Sequence, residues 1–263
     1  RRIDNLFPKT VAPIGAPVLE ARDIVRRPMT KSVSLAVRAG EIVGLAGLVG
    51  SGRSEFAQTI FGVTPAESGE IRLMGETVRI ESPEQARAKG IAYVPEDRGV
   101  QGLVRPMSVL HNLSLAGLGG LSRAGFIDRG AELRLAEQAV QRFSVKTSSV
   151  DEIAGRLSGG NQQKIVLGKW LANDPKLLIL DEPTRGIDVG AKAEIHRLMC
   201  ELAGAGVAIL MISSELPEVL GMSDRVLVMR EGRLVAEFDR AKATSEAVGA
   251  AMMGEQHRAE ELA

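Results

Sequence analysis

Cysteine is almost absent from this chain. Cys200 stands alone among 263 residues, which excludes an internal disulfide framework and fits a reducing compartment. Aromatic residues make up only 3%, so the core falls to Leu, Val, Ile and Ala. Net charge is missing as well, with 33 Lys and Arg against 33 Asp and Glu. That leaves no basic footprint for nucleic acid and no acidic surface for cationic partners. Long apolar runs are lacking. The longest, around Val207 to Ile212, has the length of a strand and falls short of the roughly 20 residues of a membrane span. No signal-peptide pattern opens the chain, so membrane attachment is expected through a partner. His111, His196 and His257 are scattered without ligand spacing, which speaks against a zinc-type site.

What remains is an ordinary globular composition, 44% hydrophobic and 25% charged, long enough for one large domain. Residues 1–17 carry Pro8, Pro13, Gly15 and Pro17 and read as a linker from an upstream segment, as the non-methionine start Arg1-Arg2 also suggests. Val18 to Val37 reads as two strands with a turn around Arg26-Arg27-Pro28. Glu41 to Ala46 is a buried strand, Arg53 to Phe61 a helix, and Gly69 to Ile80 a hairpin turning at Gly75. Ile91 to Val94 is a further strand. From Ser108 to about residue 155 strand signals vanish and Ala131 to Phe143 has helical spacing, so a small helical subdomain is expected there. Strands return at Leu177 to Leu180, Val207 to Ile212 and Arg225 to Met229, with helix Ala191 to Ala203 between the first two. Strand, helix, strand implies a mostly parallel sheet covered on both faces. Glu231-Gly232 turns into Arg233 to Phe238. The tail, 254–263, reads as frayed.

Gly47-Leu48-Val49-Gly50-Ser51-Gly52-Arg53-Ser54 matches the Walker A spacing and lies between a predicted strand and a predicted helix. Its glycines let backbone N–H groups close around phosphate oxygens, and the helix N-terminus adds positive dipole. The Ser54 hydroxyl suits a Mg²⁺ ion. Arg53 stands where the phosphate-binding lysine is expected. A planar fork cannot occupy the place of a compact ammonium, so transition-state stabilisation of a γ-phosphoryl group is expected to suffer more than binding.

Leu177 to Leu180 delivers Asp181 and Glu182 to the carboxyl end of a buried strand, the edge where open parallel sheets bind ligands. Asp181 suits a metal-holding role, and Glu182 suits polarising an attacking water. Upstream, Leu157-Ser158-Gly159-Gly160-Asn161-Gln162-Gln163 opens a helical run ending near Ala172. It offers exposed N–H groups, a hydroxyl and a dipole end, an anion site in outline. Trp170 on that helix reads as packing.

In this order the motifs resemble the nucleotide-binding domain of ATP-binding cassette (ABC) transporters from Val18 to Phe238. Asp181-Glu182-Pro183-Thr184-Arg185-Gly186-Ile187-Asp188-Val189-Gly190-Ala191-Lys192, the Arg53 loop and Ile212-Ser213-Ser214-Glu215-Leu216-Pro217-Glu218-Val219 resemble more narrowly the second half of double-cassette ATPases of ribose-, galactose- and xylose-type importers. The resemblance implies an α/β P-loop NTPase core with a mostly parallel sheet, an N-terminal antiparallel β subdomain and a helical subdomain near 108–156, in a domain spanning 18–253.

It also implies ATP-site roles for Gly47, Gly50, Ser51, Gly52, Arg53, Ser54 and Glu96, with Mg²⁺ at Ser54 and Asp181 and catalytic positions at Asp181, Glu182 and Ser214. Glu96 falls where most cassettes have the Q-loop glutamine, and Ser214 where most have the switch histidine. Neither can do the original job unchanged, since an ionised carboxylate cannot donate and serine is short and never cationic. Around Arg26 to Lys31, where an adenine-stacking aromatic is usual, there is none. Leu157, Ser158, Gly159, Gly160 and Gln162 would form the signature that completes a partner's ATP site, with Asp188 in the D-loop.

The implied partners are an upstream cassette of the same polypeptide, membrane permease subunits and, indirectly, a periplasmic sugar-binding protein. The implied place is the cytoplasmic face of the inner membrane. Two other readings compete, a nucleotide-binding regulatory module without turnover and a cassette ATPase acting on nucleic acid or ribosomes. Neutral charge and the importer-like run Thr184 to Lys192 speak against the latter.

Overall fold

A computed structural model describes residues 7–255. The chain first builds an antiparallel layer. β1 (Pro17–Arg26) pairs with β2 (Thr30–Arg38). β3 (Ile42–Ala46) then enters a different sheet as an unbroken buried run, the pattern of a strand covered on both faces. Helix α1 (Arg53–Ile60) follows it directly. β4 (Ser68–Leu73) returns to pair with β1, and β5 (Glu76–Val78) adds to β4, giving the order β2-β1-β4-β5. Helix α2 (Pro83–Ala88) starts at Ser82, whose hydroxyl accepts from Gln85 N–H, with Pro83 in the first turn.

β6 (Ile91–Val94) is the edge of the second sheet. A helical region follows, with α3 (Val109–Ser114), α4 (Leu118–Leu121) and the long α5 (Arg129–Arg142). Strand does occur here, contrary to the sequence expectation. β7 (Ser122–Arg123) and β8 (Phe126–Ile127) form a two-residue hairpin, and Ser108 bridges Ile153. The hairpin turns at Ala124-Gly125, both with positive φ, the backbone of a tight two-residue connection. Strands of two residues are too short to leave a period in sequence.

Helix α6 (Gly159–Leu171) leads back to β9 (Leu177–Asp181), then α7 (Val189–Gly204), β10 (Ala208–Ile212), α8 (Leu216–Met222), β11 (Arg225–Arg230), β12 (Arg233–Asp239) and α9 (Ser245–Met253). The six-stranded order is β12-β11-β3-β10-β9-β6. All neighbours are parallel except β12, which returns antiparallel to β11 through Glu231-Gly232.

Alternation along the strands separates two cores. Leu177 and Ile179 of β9 join Phe56, Ile60, Leu19 and Ile71, between the parallel sheet and the antiparallel layer. Leu178 and Leu180 face Ile165, Ile195, Met199 and the helical region. Each such fully buried aliphatic side chain contributes about 1.5–3 kcal/mol.

The segment expected as linker lies against this body from residue 7 onward. Lys9 Nζ is 2.7 Å from Asp224 Oδ2 with both side chains nearly inaccessible, and Ile42 N–H donates to the same carboxylate oxygen. The Phe7 and His196 rings lie 5.4 Å apart. The frayed tail expected at 254–263, and His257 with it, lies outside the described residues apart from Gly254 and Glu255. Gly254 ends α9 with φ +80°. Helices α2, α8 and α9 were not anticipated from sequence, being six to nine residues long.

Lys169 on α6 is buried, and its Nζ donates to the Gly102 carbonyl at 2.6 Å. Burial pushes its ammonium down to about 8. The unfolded chain holds this proton up to about pH 10.5, so the folded state binds fewer protons between the two values and its stability rises with pH there. Lys169→Met is expected to compare best with wild type at pH 7. Its relative advantage should shrink by about 2–3 kcal/mol towards pH 10.5. Urea unfolding at pH 7, 9 and 10.5 measures this, and a pH-independent difference would contradict it.

Candidate functional site

The loop from Gly47 to Ser54 joins the carboxyl end of β3 to the N-terminus of α1. Its glycines are dictated by space and by backbone angle. A Cβ on Gly47 would lie 2.5 Å from the Met229 carbonyl oxygen, and one on Gly52, at φ +99°, would lie 2.4 Å from that of Met29. The loop is anchored by Ser51 N–H to Leu48 C=O at 3.0 Å and by Gly232 N–H to Ser51 C=O at 2.8 Å. The N-cap of α1 is Gly52, and no side chain caps the first turn. Its amide groups thus remain available to an anion.

Asp181 ends β9 and is almost wholly buried. Its Oδ1 accepts from Ser54 Oγ at 3.1 Å and its Oδ2 from the Tyr93 hydroxyl at 3.0 Å. Burial raises its carboxyl above the usual range, against the opposing hydrogen bonds from Ser54 and Tyr93. Burial and the Asp181 charge push the Tyr93 phenol up. Tyr93 was read from sequence only as part of a strand. It reaches Asp181 because β6 and β9 are parallel neighbours with Tyr93 opposite Ile179. The Phe61 ring, 5.3 Å from Tyr93 and 5.4 Å from Trp170, packs behind it, so Trp170 is a packing residue as expected.

Glu182 leaves the sheet with φ +50°, its N–H donating to Ile212 C=O at 2.9 Å. Its Oε2 accepts from Ser214 Oγ at 3.1 Å. Arg53 does not project freely from the loop. It is 7% exposed, and its Nη1 donates to the Ser213 carbonyl at 2.8 Å. Burial lowers the guanidinium pKa, opposed by the charges of Glu182 and Asp181. The fold thus brings Arg53, Ser54, Asp181, Glu182 and Ser214 together at one edge.

Ser54 Oγ and Asp181 Oδ1 are hard oxygen donors side by side, which suits Mg²⁺. Among the described residues no group of three or more His, Cys, Asp or Glu could hold a metal. Further ligands would have to be phosphate oxygens or water, the usual mode for this ion.

Glu96 points elsewhere. Its carboxylate pairs with Arg185 in the segment after β9. Two residues on, Arg98 donates to the carbonyls of Arg185 at 2.6 Å and Gly186 at 3.0 Å. Arg98 and Arg185 were not singled out from sequence, because no local pattern shows that the loop after β6 meets the loop after β9.

The second group forms around the start of α6. Ser158 takes the N-cap position, but its Oγ accepts from Asn161 Nδ2 at 2.9 Å and makes no cap bond to the helix amides. Gln162 Nε2 donates to Leu157 C=O at 2.9 Å, so this side chain braces the loop. Gly159 lies against Arg98, and a Cβ there would sit 2.8 Å from Nη2. Gly160 packs on Ala191 of α7 with room for no side chain, a Cβ lying 2.7 Å from that of Ala191. Asp188 caps α7 by accepting from Ala191 N–H at 2.9 Å. Ser158, Gly159, Gly160 and Asp188 therefore cluster where the start of α6 meets the start of α7. Among the described residues no hydrogen bond joins this cluster to the phosphate loop.

A phosphate loop, an Asp-Glu pair at the adjacent strand end and a helical region opening with Ser-Gly-Gly define the fold of an ATP-binding cassette. A solved ATP-binding cassette of an ABC transporter superposes with a TM-score of 0.75 at 24% identity, over 89% of this chain and 98% of that one. A nucleotide-free cassette gives 0.69 at 26% identity, over 85% and 91%.

The family described as ABC transporter matches residues 30–185, and the chain belongs to that family. It is 51% identical over 254 residues to "Ribose import ATP-binding protein RbsA 2" of Streptomyces avermitilis, covering 97% of this chain and 50% of that protein. It is 53% identical over 246 residues to "Putative ribose/galactose/methyl galactoside import ATP-binding protein 1" of Rhizobium etli, covering 94% and 47%. The chain thus spans about half the length of the curated relatives it matches.

Tyr93→Phe removes one of the two side-chain donors that satisfy the buried Asp181 carboxylate. It is expected to cost about 1–3 kcal/mol of stability at pH 7. The cost should largely disappear when the same change is made in an Asp181→Ala background, which leaves the hydroxyl no side-chain partner at that position. Urea denaturation of the four proteins tests the coupling, and additive losses would show that the bond contributes nothing.

Proposed function

We propose that this chain is the nucleotide-binding cassette of a sugar importer of the ribose and galactose type. In this reading it is the second half of a double-cassette ATPase. Its signature completes the ATP site of the upstream cassette, while its own site is weak. The observation that carries the asymmetry is Arg53, held by the Ser213 carbonyl at 2.8 Å beside an otherwise complete set of Ser54, Asp181 and Glu182. The printed names of relatives about 50% identical support the sugar-import assignment.

At its own site, the Gly47, Gly50, Ser51 and Gly52 backbone and the α1 N-terminus would take nucleotide phosphates. Ser54 and Asp181 would hold Mg²⁺ where that ion accompanies the nucleotide, and bound Mg²⁺ would neutralise phosphate charge. Glu182 would orient water, with Ser214 fixing one carboxylate oxygen. Ser214 adds no positive charge and Arg53 is tethered away from the loop, so two sources of γ-phosphate stabilisation are missing. Glu96, paired with Arg185, serves as a strut between loops in place of a phosphate-side donor.

At the signature, Ser158 is exposed and no side chain caps the first turn of α6, an arrangement suited to a triphosphate held by another cassette. Partners in this reading are the upstream cassette of the same polypeptide, integral membrane permease subunits and, through them, a periplasmic sugar-binding protein. The place is the cytoplasmic face of the inner membrane. No helix among the described residues is long and apolar enough to cross a membrane. A domain of 18–253 with a linker at 1–17 completes the reading. The second reading, a nucleotide-binding regulatory module without turnover, draws on the same Arg53 tether.

Two measurements test the reading. The isolated chain is expected to hydrolyse ATP more slowly than about 1 s⁻¹, the lower end of ordinary enzyme turnover, and faster hydrolysis by the pure protein would refute a weak site. In the longer protein carrying both cassettes, Ser158→Arg or Gly159→Asp should abolish ATPase and sugar uptake. Glu182→Gln should lower both only modestly, because Gly159→Asp sets a negative charge against the partner's triphosphate whereas Glu182 serves a site already weakened. With expression and assembly equal, loss of uptake in Glu182→Gln alone would mean that this half houses the working site.

A further inference from the structure

The segment before β1 is fastened to elements that lead into the candidate site. The Phe7 ring packs on His196 of α7, 5.4 Å between centroids. It also fills the space over Gly221 of α8, where a Cβ would lie 2.5 Å from the Phe7 Cγ. Cys200, four residues after His196 on α7, donates its thiol to the Pro8 carbonyl at 3.4 Å. Lys9 pairs with Asp224, and the same carboxylate oxygen accepts from the N–H of Ile42, the first residue of β3. Thr10 and Val11 are exposed, and Gly15 N–H is bonded to the Ala39 carbonyl at 2.8 Å. Residues 7–9 thus form a short strap, seated on α7 and α8 and joined to the body through exposed chain.

What lies under the strap continues into the site. β3 runs from Ile42 to Ala46, immediately before the phosphate loop. α8 starts two residues after Ser214, whose hydroxyl donates to Glu182. Glu218 on α8 accepts from Thr184, two residues after Glu182, and lies 2.6 Å from His196. α8 also rests on β3 without a gap, since a Cβ on Gly44 would be 2.8 Å from Val219 Cγ1. Packing of this density passes a displacement on to its neighbours. With the strap seated, α8 and the start of β3 lose freedom, so Ser214 and the phosphate loop are ordered before a ligand arrives. The ligand then meets a smaller ordering cost. Linkage makes the effect mutual, so a bound nucleotide holds the strap down.

We propose that residues 7–9 are a control strap whose seating on α7 and α8 is positively coupled to nucleotide occupancy of the phosphate loop. This rests on the nucleotide-site reading above and goes beyond it by assigning a control element outside the site. Phe7 is a positioning residue that acts through α8. The chain carries its own reporter. Cys200 is its one cysteine, it is buried, and the strap backbone lies against its sulfur. Its alkylation rate therefore follows how often the strap lifts.

The test is the rate at which N-ethylmaleimide labels Cys200, without nucleotide and with MgCl₂ and ATP at a concentration that calorimetric titration shows to be saturating. Wild type is expected to label at least about fivefold more slowly with ATP, the lower end of ordinary coupling between sites. Phe7→Ala, and independently Gly221→Ala, which fills the space under the ring, should label faster than wild type without nucleotide. Both should lose most of the slowing by ATP and bind ATP at least about fivefold more weakly. Circular dichroism melting first establishes that each variant is folded, and the second variant serves if one is not. A strap that only stabilises the fold would speed labelling in the variants but leave the wild-type rate unmoved by ATP. Wild-type labelling that slows less than about fivefold, or quickens, while ATP binds would overturn the coupling and leave the nucleotide site standing. Wild-type protein that binds no ATP would overturn the nucleotide-site reading and the inference with it.

Discussion

A carboxylate cannot be buried at the end of an apolar strand without donors around it. Asp181 is such a group, and its partners order the site. Ser54 satisfies one oxygen and in doing so fixes the N-terminus of α1 against β9. Tyr93 satisfies the other and locks β6 alongside. The phosphate loop, which lies between β3 and α1, inherits its position from the first of these bonds. Glu182, the next residue, takes its direction from the backbone at φ +50° and from its bond to Ile212.

A second buried carboxylate braces the same region from beneath. Glu218 on α8 accepts from Thr184 at 2.8 Å and lies 2.6 Å from His196 of α7. Burial pushes its pKa up, but the hydrogen bonds from His196, Ser213 and Thr184 together hold it below the usual carboxylate range. Thr184 follows the Asp-Glu pair, and Ser213 carries the carbonyl that holds Arg53. One ionised group thus ties the loops after β9 and β10 to two helices. The proline-rich approach segment meets this cluster through Phe7, whose ring packs on His196.

The sequence displayed the candidate site well because its pattern is local. The Gly47-to-Ser54 spacing, the apolar run ending in Asp181-Glu182 and the Ser158-Gly159-Gly160 helix start each announce a strand end or helix end within a few residues. The parallel sheet was legible for the same reason, since Ile42–Ala46, Leu177–Leu180 and Ala208–Ile212 are uncharged runs dominated by apolar residues. Hidden were features made by contacts between distant segments. The Tyr93 bond to Asp181 spans 88 positions and the Arg53 bond to Ser213 spans 160. The β7–β8 hairpin escaped notice because its strands are two residues long.

By itself the sequence determined the type of the longer elements, the loop that can surround a phosphate and the presence of arginine where a lysine was expected. These depend on backbone permissiveness, periodicity and side-chain identity, all properties of neighbours in the chain. Tertiary structure alone decided where the charges go. It turned Glu96 towards Arg185 and tied Arg53 to the Ser213 carbonyl. It also placed Arg98 across the carbonyls of Arg185 and Gly186. The direction of a long flexible side chain follows from the nearest unsatisfied partner, and that partner exists only once strands β6, β9 and β10 lie side by side.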